Sequence, residues 1–422
     1  MKCIIKIKRE LLILPLALVF IKSISAQTIN YNQLSGQQLS KLSNPITTAV
    51  PFLMISPDSR AGGMGDAGVA TSADVNSIHW NASKLAFTDK QAGVGISYTP
   101  WLRALVPDIN LLYLSGFYKT KSSGTFAGSL RYFSLGEINF TDVNGNALGT
   151  FKPNEFAVDV AYAKKLSKTF SIGGAVRYIN SNLTQGTFVN GAATRPGRAI
   201  AVDISSTYKN ENLKIGDKKA TGTIGLNISN IGQKMSYTTT NSTLNPEAFL
   251  PMNMRLGGSV LIKLDDYNTI TFLAEANKLL VPTPPIYARD STNALIPDGN
   301  GGYIIAAGKD PNVGVAKGII QSFYDAPGGF KEELHEINYC GGLEYWYNKL
   351  FALRTGYYYE SVTKGGRQYI TMGAGIKYNV MGIDFAYLMP TGSTNQNPLS
   401  NTLRISLSFD FDSFKAQDKT TN

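Results

Sequence analysis

Few side chains in this sequence could carry acid–base, nucleophilic or metal chemistry. There are two histidines, His79 and His335, and two cysteines, Cys3 and Cys340. Cys3 lies in an N-terminal segment that reads as a removable signal, which leaves Cys340 without an intramolecular disulfide partner or a cysteine-based metal site. His79 stands beside Trp80, a pair that more often packs and hydrogen-bonds than abstracts protons, and no Ser–His–Asp set can be assembled. Gly63-Met64-Gly65-Asp66-Ala67-Gly68 matches G-x-G-x-x-G, with Asp89 21 residues further on. A dinucleotide site needs a strand before that motif, a helix after it and a βαβ unit around it. Pro57-Asp58-Ser59-Arg60 is a poor strand, so the glycines read as a flexible crossing. Asp142-Val143-Asn144-Gly145-Asn146 starts like a calcium loop, but Ala147 and Pro153 stand where that loop requires Gly and Glu. Asn144-Gly145 reads as a tight turn instead. Asn81-Ala82-Ser83 fits an N-glycosylation acceptor by chance. These residues predict no enzyme, no metal site and no cofactor.

Composition narrows the class. Of 422 residues, 17% are charged and 43% apolar, with 41 Gly, 22 Tyr and 20 Phe. Average soluble domains carry about 25% charged residues. A chain poor in charge and rich in glycine and aromatics is neither disordered nor coiled-coil. No apolar run of 18 residues follows the N-terminus, so membrane-spanning helices are not expected. Residues 1–26 read as a secretory signal. Lys2, Lys6, Lys8 and Arg9 form its charged start, residues 11–21 its apolar run, and Ser23-Ile24-Ser25-Ala26 a small-residue cleavage site. That segment has five positive charges and Glu10, a net of +4, so about +6 of the total +10 stays with the remainder. The excess is dispersed and forms no basic run, so no nucleic-acid partner is expected.

From about residue 91 one pattern recurs. Leu403, Ile405, Leu407, Phe409 and Phe411 alternate with Arg404, Ser406, Ser408 and Asp410, a period of two that means strand. About fourteen such segments are predicted: 91–99, 109–119, 124–135, 154–166, 169–183, 197–209, 220–231, 252–263, 268–279, 337–347, 350–360, 368–378, 381–388 and 402–411. Connections after even-numbered segments are mostly short, and those after odd-numbered ones mostly long. A sandwich has no reason to sort its loops this way. A transmembrane antiparallel β-barrel does, with short periplasmic turns and long extracellular loops.

The two faces agree. One carries aliphatic residues with aromatics at the strand ends, such as Tyr132, Tyr162, Tyr178, Tyr345, Tyr378 and Tyr387, as a lipid-facing band with girdles requires. The other carries Arg131, Asp159, Arg177, Asp203, Arg255, Glu275, Glu344, Arg354, Lys377, Asp384, Arg404 and Asp410. A lysine or arginine facing lipid near midplane costs about 2–4 kcal/mol, so this face is expected in the lumen, its balanced charges paired between strands. Residues 27–90 lack the pattern and are expected to enter the lumen as a plug, ahead of a barrel at 91–411 and a periplasmic tail at 412–422.

The stretch Pro51-Phe52-Leu53-Met54-Ile55-Ser56-Pro57-Asp58-Ser59-Arg60-Ala61-Gly62-Gly63-Met64-Gly65-Asp66-Ala67-Gly68-Val69-Ala70, followed by Ser77-Ile78-His79-Trp80-Asn81-Ala82-Ser83-Lys84-Leu85-Ala86-Phe87, resembles the PorV (LptO) family. The segments Ile109-Asn110-Leu111-Leu112-Tyr113-Leu114 and Leu130-Arg131-Tyr132-Phe133-Ser134-Leu135-Gly136 are similar to it as well. Ala82 stands where such barrels often have Asn-Pro. The resemblance implies a FadL-like barrel in the outer membrane of a Gram-negative bacterium of the Bacteroidetes. It also implies a non-enzymatic shuttle role in the type IX secretion system. Its partners would be an SprA-type translocon, secreted cargo with a C-terminal β-domain, a PorU-type sortase attachment complex, and outer-membrane lipid and lipopolysaccharide. A FadL-like transporter of hydrophobic solutes is the alternative.

A shuttle needs a protein-sized surface on the extracellular loops. The first loop offers Trp101, Leu102 and Leu105 at the barrel mouth. The connection 280–336 is 57 residues long, far beyond the roughly 12–15 residues above which a loop is usually functional or disordered. It contains Ile286 and Tyr287 after a proline-rich start, then Ile319, Phe323 and Tyr324 in an apolar stretch. It is expected to fold as a flap that grips partners.

Overall fold

The computed structural model describes residues 43–102, 106, 108–121, 124–141, 147–184, 188–189, 192–238, 247–391, 399 and 402–412. The expected signal at 1–26, the turn at Asn144-Gly145, Leu105 and residues 413–422 of the expected tail lie outside them.

Fourteen strands close into one antiparallel barrel. They are β1 (Ala92–Pro100), β2 (Ile109–Lys119), β3 (Thr125–Leu135), β4 (Asn154–Lys165), β5 (Phe170–Asn182), β6 (Gly197–Ile215), β7 (Lys218–Gly232), β8 (Asn253–Lys263), β9 (Asn268–Leu279), β10 (Ile337–Tyr347), β11 (Phe351–Tyr359), β12 (Gln368–Tyr378), β13 (Met381–Pro390) and β14 (Thr402–Phe411). Each strand pairs with the next, and β14 returns to β1 with Phe411 opposite Ala92. The predicted segments match these strands to within a few residues, except at β6 and β7, which extend to Ile215 and from Lys218. Asn210, Glu211 and Asn212 break the apolar alternation there, and the ladder shifts register between Asn210 and Leu213. Backbone pairing needs no alternation, so the hairpin continues beyond the apolar band.

The short connections sit at one end and hold two to five residues each. Asn348 and Lys349 both have positive φ, 51° and 55°, as the central pair of a primed turn closed by the Leu350 amide, which donates to the Tyr347 carbonyl at 2.9 Å within the three-residue connection 348–350. Seven longer connections gather at the opposite end. The outer face carries a broad apolar band: Val94, Ile96, Leu112, Leu114, Val158, Val160, Ile200, Val202 and Ile204 are all exposed on it. That inverts the polarity of a soluble protein and suits a wall surrounded by hydrocarbon. Among the described residues no helix is long and apolar enough to cross a membrane.

The charged face does line the interior. Asp159 lies opposite Arg177 across β4 and β5. The Arg177 guanidinium reaches Asp159 at 2.6 Å and Asp203 at 3.1 Å. Arg354 contacts both Glu344 and Asp384 at 2.7 Å. Arg255 pairs with Glu275 at 3.5 Å, and Lys377 with Asp410. Not every partner is on a neighbouring strand. Arg404 pairs with Asp66, Glu344 with Arg60, and Arg131 donates to the Leu53 carbonyl at 2.8 Å. Those partners belong to residues 43–91, which run through the barrel. Asn44 bonds to Thr363 and Pro284 at the long-loop end, while the Gln91 amide donates to Phe411 at the short-turn end.

Inside, this segment makes a series of single turns, Pro51–Met54, Ser59–Gly62, Ser77–Trp80 and Ala82–Phe87. The reading of Gly63–Gly68 as a flexible crossing is corrected. Gly65 has φ +72°, and a Cβ there would lie 2.6 Å from the Tyr357 carbonyl oxygen; a Cβ on Gly68 would lie 2.3 Å from the Trp80 ring. Close packing requires these glycines, Gly65 against the barrel wall and Gly68 against Trp80 of the same interior segment, and the Glu275 carboxylate accepts from the Gly68 and Val69 amides at 2.8 and 2.9 Å. His79 and Trp80 pack edge to face at 4.7 Å, the indole N–H donating to Asp58 and the imidazole Nδ1 facing Arg131. Asn81 is buried, and its Oδ1 accepts from the Ser83 amide at 3.1 Å. It caps the following turn despite Ala82, and it is out of reach of glycosylation.

Candidate functional site

The long connection between β9 and β10 folds into a cap. It contains a small two-stranded sheet (Ile286–Tyr287 with Ile305–Ala307) and two short helices, Val315–Gln321 and Phe330–His335. An ionic clasp fastens it to the rim. The Lys278 ammonium, at the end of β9, donates to Glu336 at 2.7 Å and Glu333 at 3.1 Å. Lys364, from the connection between β11 and β12, donates to Glu332 at 2.6 Å and Glu336 at 2.9 Å. The Thr283 hydroxyl donates to Glu336 at 2.6 Å, and Asn44 donates to Glu332 at 3.2 Å. All five charged side chains are buried. Lys278 and Lys364 hold Glu336 below the usual carboxylate range although burial alone would raise it. Burial raises Glu333, and it pushes Asp325, whose carboxylate accepts from the Thr283 amide at 3.1 Å, up to about 6.

This clasp explains an inverted helix. In Phe330-Lys331-Glu332-Glu333-Leu334-His335 the acidic residues turn inward to the lysines, so Phe330 and Leu334, four residues apart on the same face, turn outward. Phe330 is 76% exposed and Leu334 44%. The preceding segment adds Ile320 at 63% and Tyr324 at 54%. Phe323 is also exposed, and its ring lies 5.7 Å from the Lys278 ammonium, which places it beside the clasp. Large apolar side chains gathered at a loop surface mark interaction sites.

The structure distributes the residues expected to grip partners over different environments. Phe323 and Tyr324 are exposed on the cap. Ile319 is half-buried against the cluster of Phe249, Met252, Leu280 and Val281, where Gly318 also meets the Phe249 ring. Ile286 and Tyr287 are half-buried in the small sheet, with Tyr287 edge-on to Tyr303 at 6.0 Å. Trp101 is half-buried between two apolar clusters of the barrel mouth, one around Phe52 and Phe133 and one around Tyr358 and Tyr369. Leu102 packs on the second at φ 51°, and Leu105 lies outside the described residues. Phe330, Leu334 and the clasp went unnoticed in the sequence. The spacing of Phe330 and Leu334 was a signal for one helical face, but an acidic face opposite normally points to water. Among the described residues no group of acidic, histidine and cysteine side chains is arranged to hold a metal.

Several solved structures are similar to this chain at low identity. The Ralstonia pickettii toluene transporter TbuX is 11% identical, with 84% of this chain and 98% of that one covered at a TM-score of 0.44. The Pseudomonas putida toluene transporter TodX is 10% identical, with 88% and 100% covered at 0.46. A Pseudomonas aeruginosa FadL homologue is 12% identical, with 87% and 100% covered at 0.42. No curated protein sequence matches the chain. The profile described as "PorV: Type IX secretion system protein PorV" matches residues 38–286, more than half of the sequence. With its closed barrel and apolar outer wall, the chain belongs to the PorV family of type IX secretion system proteins and resides in the outer membrane.

Proposed function

We propose that this protein is a non-enzymatic shuttle that binds C-terminal-domain cargo leaving an SprA-type translocon and delivers it to a PorU-type cell-surface attachment complex. The observation that carries this reading is the cap: a fold whose acidic residues are spent on an internal clasp and whose aromatic and aliphatic side chains face outward at the extracellular mouth. Residues 43–90 act as a plug in this reading, since their ion pairs with the barrel wall oppose the open apolar path that a transporter of hydrophobic solutes requires. Phe323, Tyr324 and Phe330 form the gripping surface, Ile286, Tyr287 and Ile319 support it from beneath, and Trp101, Leu102 and Leu105 shape the adjoining mouth.

The test is affinity purification of the tagged full-length protein from native outer membranes, in parallel with Phe323→Asp/Phe330→Asp. The unaltered chain should recover a giant translocon barrel and secreted proteins. The double variant should lose that recovery by about tenfold or more, as for removal of aromatic anchors at an interface, with the same amount of heat-modifiable barrel. Recovery of neither partner, together with uptake of labelled fatty acid by cells, would replace the shuttle with a FadL-like transporter.

A further inference from the structure

The net charge of this protein collects at one end of the barrel. The short connections and the strand residues beside them, within 89–91, 119–124, 163–169, 209–219, 262–269, 347–351, 377–382 and 409–412, carry thirteen lysines, no arginine and seven carboxylates. That excess of six, scattered along the sequence, equals the +6 expected of the chain beyond its signal. In an outer-membrane barrel the short-turn end faces the periplasm. Lys119, Lys165 and Lys209 arrive from β2, β4 and β6 at the last turn of the interior segment. Lys119 donates to the Thr88 carbonyl, and the Lys165 and Lys209 ammoniums lie 4.8 and 5.6 Å from the Phe87 ring. Of these three only Lys209 has a carboxylate partner, Glu211 at 2.6 Å. Lys164, Lys168 and Lys214 are exposed and, like Lys165, make no ion pair among the described residues. Like charges gathered in this way attract an anionic partner.

Beside this cluster the β6–β7 hairpin projects beyond its neighbours. The β5–β6 ladder ends with Tyr208 opposite Phe170, and the β7–β8 ladder with Ala220 opposite Ile262. β6 continues to Ile215 paired with β7 alone, Lys214 opposite Lys219 and Ile215 opposite Lys218. Its outer edge over Asn210–Ile215, about 20 Å of extended chain, has no strand against it. Leu213 and Ile215 are 38% and 48% exposed there. The turn 166–169 between β4 and β5 lies at the foot of this edge, since the Lys209 amide donates to the Thr169 carbonyl at 2.7 Å. An open edge invites a further strand, and lysines are a usual guard against it. They repel a second copy of this lysine-rich hairpin and make an acidic strand the class of sequence that the edge attracts.

We propose that the periplasmic end of this barrel docks an acidic, extended segment of a periplasmic protein. The segment adds as a strand along the free edge of β6, and its carboxylates lie among Lys164, Lys165, Lys168 and Lys214. Main-chain hydrogen bonds supply affinity in such strand addition, and the alternate side chains supply specificity. Cell-wall stem peptides, short and with D residues, do not continue a ladder of L residues. The assignment rests on the outer-membrane location of the barrel and is independent of the shuttle reading, whose surface is at the opposite end.

The full-length protein in neutral detergent is titrated with three fluorescent octapeptides, of alternating Glu and Val, Glu and Pro, and Lys and Val, and binding is followed by anisotropy. The Glu–Val peptide should bind about tenfold or more tightly than the Glu–Pro peptide, which has the same charge but lacks amides that a ladder needs. The Lys–Val peptide should not bind. Lys164→Gln/Lys168→Gln/Lys214→Gln should weaken Glu–Val binding about tenfold, the effect of three exposed charge pairs, with heat-modifiable migration retained. No binding of the Glu–Val peptide to the unaltered chain, or equal binding of the two acidic peptides, overturns the proposal, and this arm needs no variant to fold. So does an unchanged Glu–Val affinity in the folded triple variant. Complete displacement of the Glu–Val peptide by phosphatidylglycerol would assign the lysines to inner-leaflet lipid. Cosedimentation with purified cell wall that the Glu–Val peptide does not compete away would assign them to the wall. Either result overturns the proposal.

Discussion

Glu336→Ala should open the cap without unfolding the barrel. Glu336 accepts from Lys278 at 2.7 Å, Lys364 at 2.9 Å and Thr283 at 2.6 Å, and it is buried. Breaking a buried ion pair by removing one partner typically costs about 3–5 kcal/mol. The lower end applies here, because Lys278 keeps Glu333 at 3.1 Å and Lys364 keeps Glu332 at 2.6 Å, so neither ammonium is stranded. About 3 kcal/mol off the local opening free energy corresponds to roughly 150-fold faster hydrogen exchange of protected amides. The assay is exchange followed by mass spectrometry of peptides covering 281–336, with peptides from β1 to β5 as the internal reference. Glu211→Gln is the control, since Glu211 is largely exposed in its pair with Lys209 and exposed pairs contribute about 0–1 kcal/mol. If exchange across 281–336 stays within about twofold of wild type, the clasp does not hold the cap. The outward presentation of Phe330 and Leu334 would then need another cause.

Three further outcomes follow from the same geometry. Ser43→Cys should react with a membrane-impermeant maleimide on intact cells while Lys90→Cys does not, because Asn44 touches the long loops and Gln91 the opposite end; the reverse pattern refutes the direction of the interior segment. Purified full-length protein should give little conductance in planar bilayers, and Gly65→Val, which sets a side chain where a Cβ already lies 2.6 Å from the Tyr357 carbonyl oxygen at φ +72°, should raise it; large stable channels from the unaltered protein would count against a plugged lumen. Asp325, raised from 3.8 to about 6 by burial, binds more protons in the closed cap than in the open one between those values. Its contribution to cap stability therefore grows as pH falls from about 7 to about 5. Asp325→Asn should shrink that gain in opening free energies corrected for intrinsic exchange, and an unchanged pH slope would refute the assignment.

The barrel was legible because its physics is local. Lipid on one side and a polar lumen on the other impose a period of two on every strand, so Arg404 and Leu403 announce opposite faces wherever the strand is paired. The sorting of short and long connections then orients the ends. The lumen charges were equally legible as a face, since none of them is tolerable in lipid. The glycine run was visible as spacing, but its meaning depended on Tyr357, which meets Gly65 only in the closed barrel, and on Trp80, which folds back onto Gly68 within the interior segment. The sequence by itself therefore determined the architecture, the membrane face and the presence of a long connection between β9 and β10. Only the tertiary structure decided the partners of Arg404, Glu344 and Arg131, which lie in a segment hundreds or scores of residues away. It alone decided which side of Phe330-Lys331-Glu332-Glu333-Leu334-His335 faces water. A short amphipathic helix normally buries its apolar face, and this one is reversed because Lys278 and Lys364, brought from β9 and from the loop after β11, offer its acids a buried partner. Charge pairing across long sequence separations leaves no periodic trace, so no reading of spacing could have found it.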